Sequence, residues 1–417
     1  MDYDSVLEAL FERHRSVQNA GFSADAYKPG LEQMEDYAAF LGNPQDSFPS
    51  VHVAGTNGKG SVCSLIARAL ALKGYGTGLY TSPHLADFRE RIKIVRAGGY
   101  ELIPKEAVAD YLGRFDREGL SFFEVTTGMA FKWFASLPVD WAVIETGLGG
   151  RLDSTNIITP RISIITSIGL DHCALLGNTR AEIAAEKAGI FKSGVPALVW
   201  GRDPETSPVF ESVAARVGAP LYYAEDFPLP EADTALFDLA GPCLLQNLRT
   251  VWAALSILHE TPESPLALRD AARKTGFRGR WETLLEKPLT ICDIGHNPPA
   301  LEANFGQLER LRGSGPSRRP LLMVYGAMAD KDVDSIAGLM PPDAEFFLVA
   351  PRTPRAMAVK DLALKLKKLN FTESGTVPEG VSAALSRARG LAGSDPVVYI
   401  GGSTFVVAEA ISYLESI

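Results

Sequence analysis

Lys59 and Ser61 are the residues whose types and spacing point most directly to chemistry. They close the run Val51-His-Val-Ala-Gly-Thr-Asn-Gly-Lys-Gly-Ser61, where an apolar strand pattern ends in a glycine-rich turn and a helical pattern follows from Val62 to Leu72. Glycines let backbone N–H groups approach phosphate oxygens, and the N-terminus of the next helix favours an anion. Thr56, Asn57, Gly58, Lys59, Gly60 and Ser61 therefore read as a nucleotide-phosphate loop. Lys59 would reach the terminal phosphates and the Ser61 hydroxyl would ligate Mg²⁺. The spacing departs from G-x-x-x-x-G-K-[ST]: Val53 stands where the first glycine belongs, and Gly60 intervenes before Ser61. A glycine-rich turn by itself is often only a tight turn. Strand, lysine, serine and helix in register make phosphate binding the stronger reading.

Glu145 ends the apolar run Trp141–Glu145 and precedes Thr-Gly-Leu-Gly-Gly. An acid at such a strand end can hold Mg²⁺ beside phosphates, and Mg²⁺ needs only one or two protein carboxylates. Alone, it would read as a solvated strand terminus. His172 follows the run from Arg161 to Asp171, and a lone histidine is more often hydrogen-bonded scaffolding than a ligand. Lys187 sits in a helical pattern with Glu182 and Glu186, so its plain reading is a surface lysine pairing with those acids or with solvent. Cys63, Cys173, Cys243 and Cys292 are scattered and form no C-x-x-C pair. Reduced thiols in a cytosolic protein are expected, and Cys173 beside His172 is a weak zinc signal.

Strand-like runs must carry these groups. They fall at Ser50–Ala54, Thr77–Tyr80, Trp141–Glu145, Ile162–Ile168 and Ala197–Trp200. Helical stretches at Lys105–Phe115, Thr126–Leu137 and Arg180–Phe191 alternate with them. Alternation of this kind implies a parallel sheet with crossover helices, binding ligands beyond the carboxyl ends of its strands. Helices are expected at Gln246–Glu260 and Leu266–Thr275. Gly276–Glu282 (GFRGRWE) reads as a connection. A second alternating series follows at Leu289–Ile294, Pro320–Tyr325, Glu345–Ala350 and Pro396–Ile400, with Arg312–Arg319 as a surface loop. The expected fold class is α/β: a P-loop-containing, doubly wound, mostly parallel sheet domain over residues 1–283, then a smaller Rossmann-like α/β domain over 284–417.

Composition sets bounds. The 417 residues are 46% hydrophobic and 22% charged, enough for sizeable cores. A net charge of −9 argues against a nonspecific nucleic-acid or anionic-membrane binder. A polyanionic ligand must then be held by local cations. The start MDYDSVLEAL lacks the basic and apolar regions of a secretory signal, and no apolar run approaches the ~20 residues of a membrane helix. The expected compartment is the cytoplasm.

GTNGKGS from Gly55 resembles the loop of the folylpolyglutamate synthase/dihydrofolate synthase family, within the Mur-type ATP-dependent amide ligases. TSPHL from Thr81, ERIKI from Glu90, ETGLGGRLDSTN from Glu145, LDH from Leu170, AEKAGIFK from Ala185, GRWE from Gly279 and DIGHNP from Asp293 continue the resemblance. It implies ATP-dependent, ADP-forming ligation of L-glutamate to dihydropteroate or to the tail of a reduced folate, in folate biosynthesis. It further implies two Mg²⁺ ions, with Ser61, Ser82 and Glu145 at the first and His172 at the second. Lys187 is implied to be carbamylated, so that its anion bridges to the metal. Lys59, His172 and Lys187 would be catalytic. Asn247, Arg280 and Asp293 match the family's contacts to adenine, phosphate and ribose.

Ser121–Glu124 and Leu152–Ser154 correspond to segments lining the family's pterin pocket. Phe122 and Phe123 could stack on a pterin or belong to the core, and Glu124, Leu152, Asp153 and Ser154 accompany them. His296 either contacts substrate or belongs to the loop of Asp293. The segment from Ala26 to Met34 resembles the family's PGLERM stretch, but Gln33 replaces a common Arg, and Gly21–Tyr27 lacks the usual pattern. The segment from Val95 to Leu102 reads as a hairpin longer than a single turn. A monomer is expected. Rival readings are another Mur-type amino-acid ligase, a P-loop phosphotransferase, or a silent nucleotide binder.

Overall fold

The computed structural model describes residues 2–14, 30–315, 318–366, 376–377, 379–390 and 395–417. The chain divides into two compact units. One comprises Met1–Asp238 and Leu244–Phe277, the other Leu239–Cys243 and Arg278–Ile417. Gly21–Tyr27 lies outside the described residues.

The first unit is built on an eight-stranded sheet. Its strands are β1 (Ser50–Ala54), β2 (Thr77–Tyr80), β3 (Ile92–Arg96), β4 (Gly99–Leu102), β5 (Trp141–Glu145), β6 (Ile162–Ile165), β7 (Ala197–Val199) and β8 (Leu221–Tyr223). The spatial order is β4-β3-β2-β5-β1-β6-β7-β8. All neighbours are parallel except β2–β3 and β3–β4. β1 is buried along its whole length, as a central parallel strand covered on both faces must be. Each crossover returns the next strand to the same end, so loops after β1, β2, β5 and β6 collect along one sheet edge. Helix Lys59–Leu72, rich in Ala and Leu, lies buried behind the first of them.

Several expectations need correction, among them the helix over Leu266–Thr275, which is a 3-10 turn at Pro265–Leu268 and a short helix at Ala271–Thr275. β6 stops at Ile165, not Ile168, because Thr166 and Ser167 leave the ladder to bind the loop after β1. The helix expected from Thr126 starts at Phe122. Ser121 and Glu124 form a capping box there, satisfying end groups that an apolar pattern does not reveal. The β3–β4 hairpin is tight, since Arg96 pairs with Gly99 across only Ala97 and Gly98.

Within the second unit, β9 (Glu282–Glu286), β10 (Leu289–Cys292), β11 (Leu321–Tyr325), β12 (Glu345–Leu348) and β13 (Val397–Gly401) form a sheet in the order β12-β11-β13-β10-β9. Only β9 runs antiparallel to its neighbour. Its core includes Trp281, Leu301, Phe305, Tyr325 and Tyr399. Arg312, expected to open a surface loop, ends helix Pro298–Arg312 instead. Its guanidinium is buried and held by Glu309 and Asp343. Both units are α/β with predominantly parallel sheets, as expected. Among the described residues no helix is long and apolar enough to cross a membrane.

Candidate active site

The turn after β1 has a shape only glycine permits at two positions. Gly55 has φ +153°, and a Cβ there would fall 2.0 Å from Thr166 Oγ1. Gly58 has φ +85°, with Asn247 Oδ1 2.7 Å from where its Cβ would be. The turn is held from β6. Thr56 N donates to Ser167 O (2.9 Å), Asn57 N to Ser167 Oγ (2.9 Å), and Thr166 Oγ1 to Asn57 O (2.7 Å). Gly169 N donates to Thr56 Oγ1 at 3.0 Å. Gln246, beside Asn247, donates to Thr166 O at 3.0 Å. Loop, β6 end and helix Leu244–Leu258 are thus one hydrogen-bonded assembly.

Lys59 curls back over the turn, its Nζ donating to Gly55 O at 3.0 Å and Thr56 O at 3.3 Å. Lys187 reaches the same carbonyl from helix Arg180–Ala188, with Nζ to Gly55 O at 2.9 Å. It is buried, so the surface reading of Lys187 is wrong. The cause is packing of the glycine-rich segment after β5. A Cβ on Gly150 would lie 2.8 Å from Lys187 O, so the absence of a side chain lets that segment press on the helix. Burial, with Lys59 nearby, lowers the Lys187 amine to about 7.

Glu145 ends β5 and is buried. Its Oε2 accepts from Ser82 N at 3.1 Å and lies 3.4 Å from where a Cβ on Gly60 would stand. Ser61, also buried, follows Gly60 in the first turn of the loop helix. Structure therefore brings Glu145, Ser82 and the Gly60–Ser61 helix start together. His172 takes a left-handed conformation (φ +53°) before the short helix Cys173–Leu176. Its Nε2 is 3.7 Å from Asp171 Oδ1. Among the described residues no three His, Cys, Asp or Glu side chains converge as a ready metal cage.

The residues expected on the pterin side separate. Phe122 belongs to the core, stacked on Phe11 at 5.4 Å with the Arg91 guanidinium 5.2 Å from its ring centre. Glu124 is buried, its carboxylate accepting from Ser121 N at 2.6 Å. Phe123 is only partly buried; it lies 5.8 Å from the Tyr80 ring and against Gly147, in the segment after β5. Asp153 caps the turn Ser154–Ile157 and accepts from Leu148 N at 2.8 Å. Burial raises its carboxyl above the usual range. Leu152 and Ser154 beside it are half-buried.

Asp293, Arg280 and His296 belong to the second unit. Asp293 accepts from Trp281 N (2.9 Å), Gly295 N (2.6 Å) and Asn304 Nδ2 (2.8 Å). A carboxylate offers about four lone-pair sites, so one further donor fits. Arg280 and His296 are half-buried, with His296 Nδ1 3.0 Å from Ile294 O. Sequence reasoning missed Thr166 and Ser167. Their signal was present as a hydroxyl pair at the end of an apolar run.

The phosphate-type loop stands on one mostly parallel sheet, and a second mostly parallel unit follows it in the chain. Residues 279–404 match the family model described as Mur ligase, glutamate ligase domain. The dihydrofolate synthase/folylpolyglutamate synthase of Bacillus subtilis is 32% identical over 421 residues, covering 92% of this chain and 94% of that one. A Haloferax volcanii protein described as a probable bifunctional folylpolyglutamate synthase/dihydropteroate synthase is 32% identical over 442 residues, spanning 98% of this chain but 50% of its own length. Escherichia coli FolC in complex with DHPP and ADP superposes with TM-score 0.81 at 29% identity, covering 100% of this chain and 98% of that one. A bifunctional folylpolyglutamate synthase/dihydrofolate synthase with Mn, AMPPNP and L-glutamate bound gives 0.78 at 28% identity, covering 100% and 98%. The chain belongs to the dihydrofolate synthase/folylpolyglutamate synthase family of ATP-dependent ligases.

Proposed function

We propose that this chain joins L-glutamate to the carboxylate of dihydropteroate and to the glutamate tail of reduced folates. A substrate carboxylate oxygen attacks the γ-phosphorus of ATP, the bond to the ADP oxygen breaks, and an acyl phosphate forms. The glutamate amine nitrogen then attacks the acyl carbon, phosphate leaves, and the nitrogen loses a proton. The observation that carries this reading is the convergence of Lys59 and Lys187 on the Gly55 carbonyl. It fixes two amines at a loop whose N–H groups suit phosphates. The double names of the relatives support both acceptors.

In this reading Thr56–Ser61 cradle the phosphates, Lys59 neutralises charge on the transferring group, and Asn247 lines the loop. The oxygen-rich set of Ser61, Ser82 and Glu145 suits a hard cation such as Mg²⁺, with nucleotide and water completing its shell. Bound there, the cation supplies charge neutralisation at phosphorus. His172 is assigned to a second ion. Lys187, as a free amine, would add to CO₂ with loss of a proton, replacing a cation by a carbamate anion. On the acceptor side Phe123 stacks on the pterin, with Leu152 and Ser154 beside it. Phe122 and Glu124 support that wall as core and cap, and Asp153 does so through its turn. In the second unit Arg280 serves phosphate, Asp293 a ribose hydroxyl and His296 the amino acid. The protein acts in the cytoplasm as a monomer. Nucleotide titration with Mg²⁺ tests the site: wild type should bind, and Lys59→Ala should weaken binding on the order of a hundredfold. Equal binding by both would refute the assignment.

A further inference from the structure

Phe277 is the last residue of the first unit, and its ring rests on Gly60. A Cβ at Gly60 would fall 2.7 Å from Phe277 Cε2 and 2.8 Å from Cζ, and 3.4 Å from Glu145 Oε2. An aromatic ring and the carboxylate ending β5 therefore both stand against the second residue of the loop helix. Gly60, lacking a side chain, makes room for the ring.

The ring's placement is fixed from the β3–β4 hairpin. Gly276 has φ +62°, and the Tyr100 ring occupies the space of its missing side chain, 2.3 Å from an ideal Cβ. Lys93 Nζ donates to Gly276 O at 3.3 Å and lies 5.8 Å from the centre of the Tyr100 ring. Two more cations bind the hairpin to the same segment. Lys274 Nζ donates to Gly98 O at 2.7 Å, and Arg68 bridges Ala97 O (2.7 Å) and Asp270 (2.9 Å). Lys93 is fully buried. A buried ammonium is costly, and an aliphatic chain of similar length would pack there without desolvation loss. The lysine has a rationale if its hydrogen bond aims the backbone that carries Phe277.

We propose that Phe277 is a positioning residue for the metal–nucleotide site, seating the loop helix and the Glu145 carboxylate, and that Lys93 fixes it through the Gly276 carbonyl. The inference rests on the ligase reading above. The ring sets where Gly60 stands, Gly60 backs Glu145 Oε2, and Ser82 N–H holds that oxygen at 3.1 Å, so a cation meets a preset ligand.

The test is calorimetric titration of the full chain with Mg·AMPPNP, alongside steady-state kinetics and circular dichroism. Phe277→Ala should bind the nucleotide on the order of tenfold more weakly and need on the order of tenfold more Mg²⁺, with KM for glutamate unchanged. Phe277→Tyr, which restores the ring, should recover most of both. Lys93→Met should shift both in the same direction by about threefold while its Tm holds or rises. If Phe277→Ala does not fold, Lys93→Met decides alone. Wild-type nucleotide and Mg²⁺ affinity in folded Phe277→Ala, or in Lys93→Met, would overturn the inference and leave the ligase reading intact. Failure of the wild-type chain itself to bind Mg·AMPPNP would overturn both.

Discussion

Lys59 Nζ and Lys187 Nζ meet on one acceptor, the carbonyl oxygen of Gly55, at 3.0 and 2.9 Å. The two amines arrive from different helices, and the carbonyl belongs to a residue whose backbone only glycine adopts comfortably. Burial first, and repulsion from Lys59 second, bring the Lys187 amine to about 7. Near neutral pH it is therefore substantially in the uncharged form that can add to CO₂.

Replacing Lys187 by Ala should lower turnover on the order of a hundredfold or more. High bicarbonate with a short carboxylate should restore part of it. Full activity in the plain variant would sink the carbamate proposal. Stability should move differently. With a folded-state value of about 7 against an ordinary 10.5, the unfolded chain holds more protons than the folded chain across that interval. The buried amine thus weakens the fold most below pH 7, and the loss fades as pH rises towards 10.5. Lys187→Met should melt higher than wild type at pH 6–7 in CO₂-free buffer, with the gap closing at higher pH. Parallel melting curves at all pH values would contradict this.

Gly55→Ala should abolish nucleotide binding, because its Cβ would overlap Thr166 Oγ1 and its φ suits only glycine. Destabilisation of about 2–4 kcal/mol is expected from strain and overpacking. Thr166→Val is milder. It removes one of two hydroxyl donors to Asn57 O, Ser167 Oγ remaining at 2.9 Å, and should cost about 0.5–1.5 kcal/mol, the net worth of one hydrogen bond. Chemical denaturation with nucleotide titration checks both variants.

His14 offers a pH test away from the loop. Its Nδ1 is 2.8 Å from Leu120 O and its Nε2 2.6 Å from Asp116 Oδ1, so both ring nitrogens face acceptors. Arg13 also binds Asp116. Burial opposes the charge, but the bonds to Asp116 and Leu120 prevail, and the imidazole is raised above 6.5. Its contribution is fully present below the unfolded value and is lost as pH rises through the raised folded value. Wild type minus His14→Gln stability should therefore shrink as pH rises from 6 to 9. A constant difference would contradict the assignment.

Phe122 and Phe123 should respond differently to truncation. Phe122→Ala should destabilise by about 3–5 kcal/mol, as loss of a buried ring does. Phe123→Ala should raise KM for the pterin substrate on the order of tenfold with a smaller stability loss. Equal pterin KM in Phe123→Ala and wild type would remove Phe123 from the acceptor wall.

The sheet edge was readable because β1, β2 and β5 carry strand-like patterns ahead of turn residues, and their observed bounds coincide with the expected ones. The loop was readable because Gly, Lys and Ser follow β1 directly. The clamp by Thr166 and Ser167 was not, since hydroxyls at a strand end gain meaning only when the neighbouring strand brings a turn beside them. Lys187 misled for the same reason. Its helix looks solvated in sequence, and burial comes from Gly150, far along the chain. Phe277 carried no pattern at all; its role depends on Gly60, Gly276 and a lysine from β3. β8 has only three residues, and β9 is bounded by Glu282 and Glu286 with no fully buried position, so neither shows as an apolar run.

The most direct measurement follows ADP release by purified protein given ATP and Mg²⁺, with L-glutamate and with dihydropteroate or tetrahydrofolate supplied singly and together. The ligase account predicts release only when glutamate and a pterin are both present, with one new amide per ADP. ADP formed at the same rate without glutamate, or none under any combination, would contradict it.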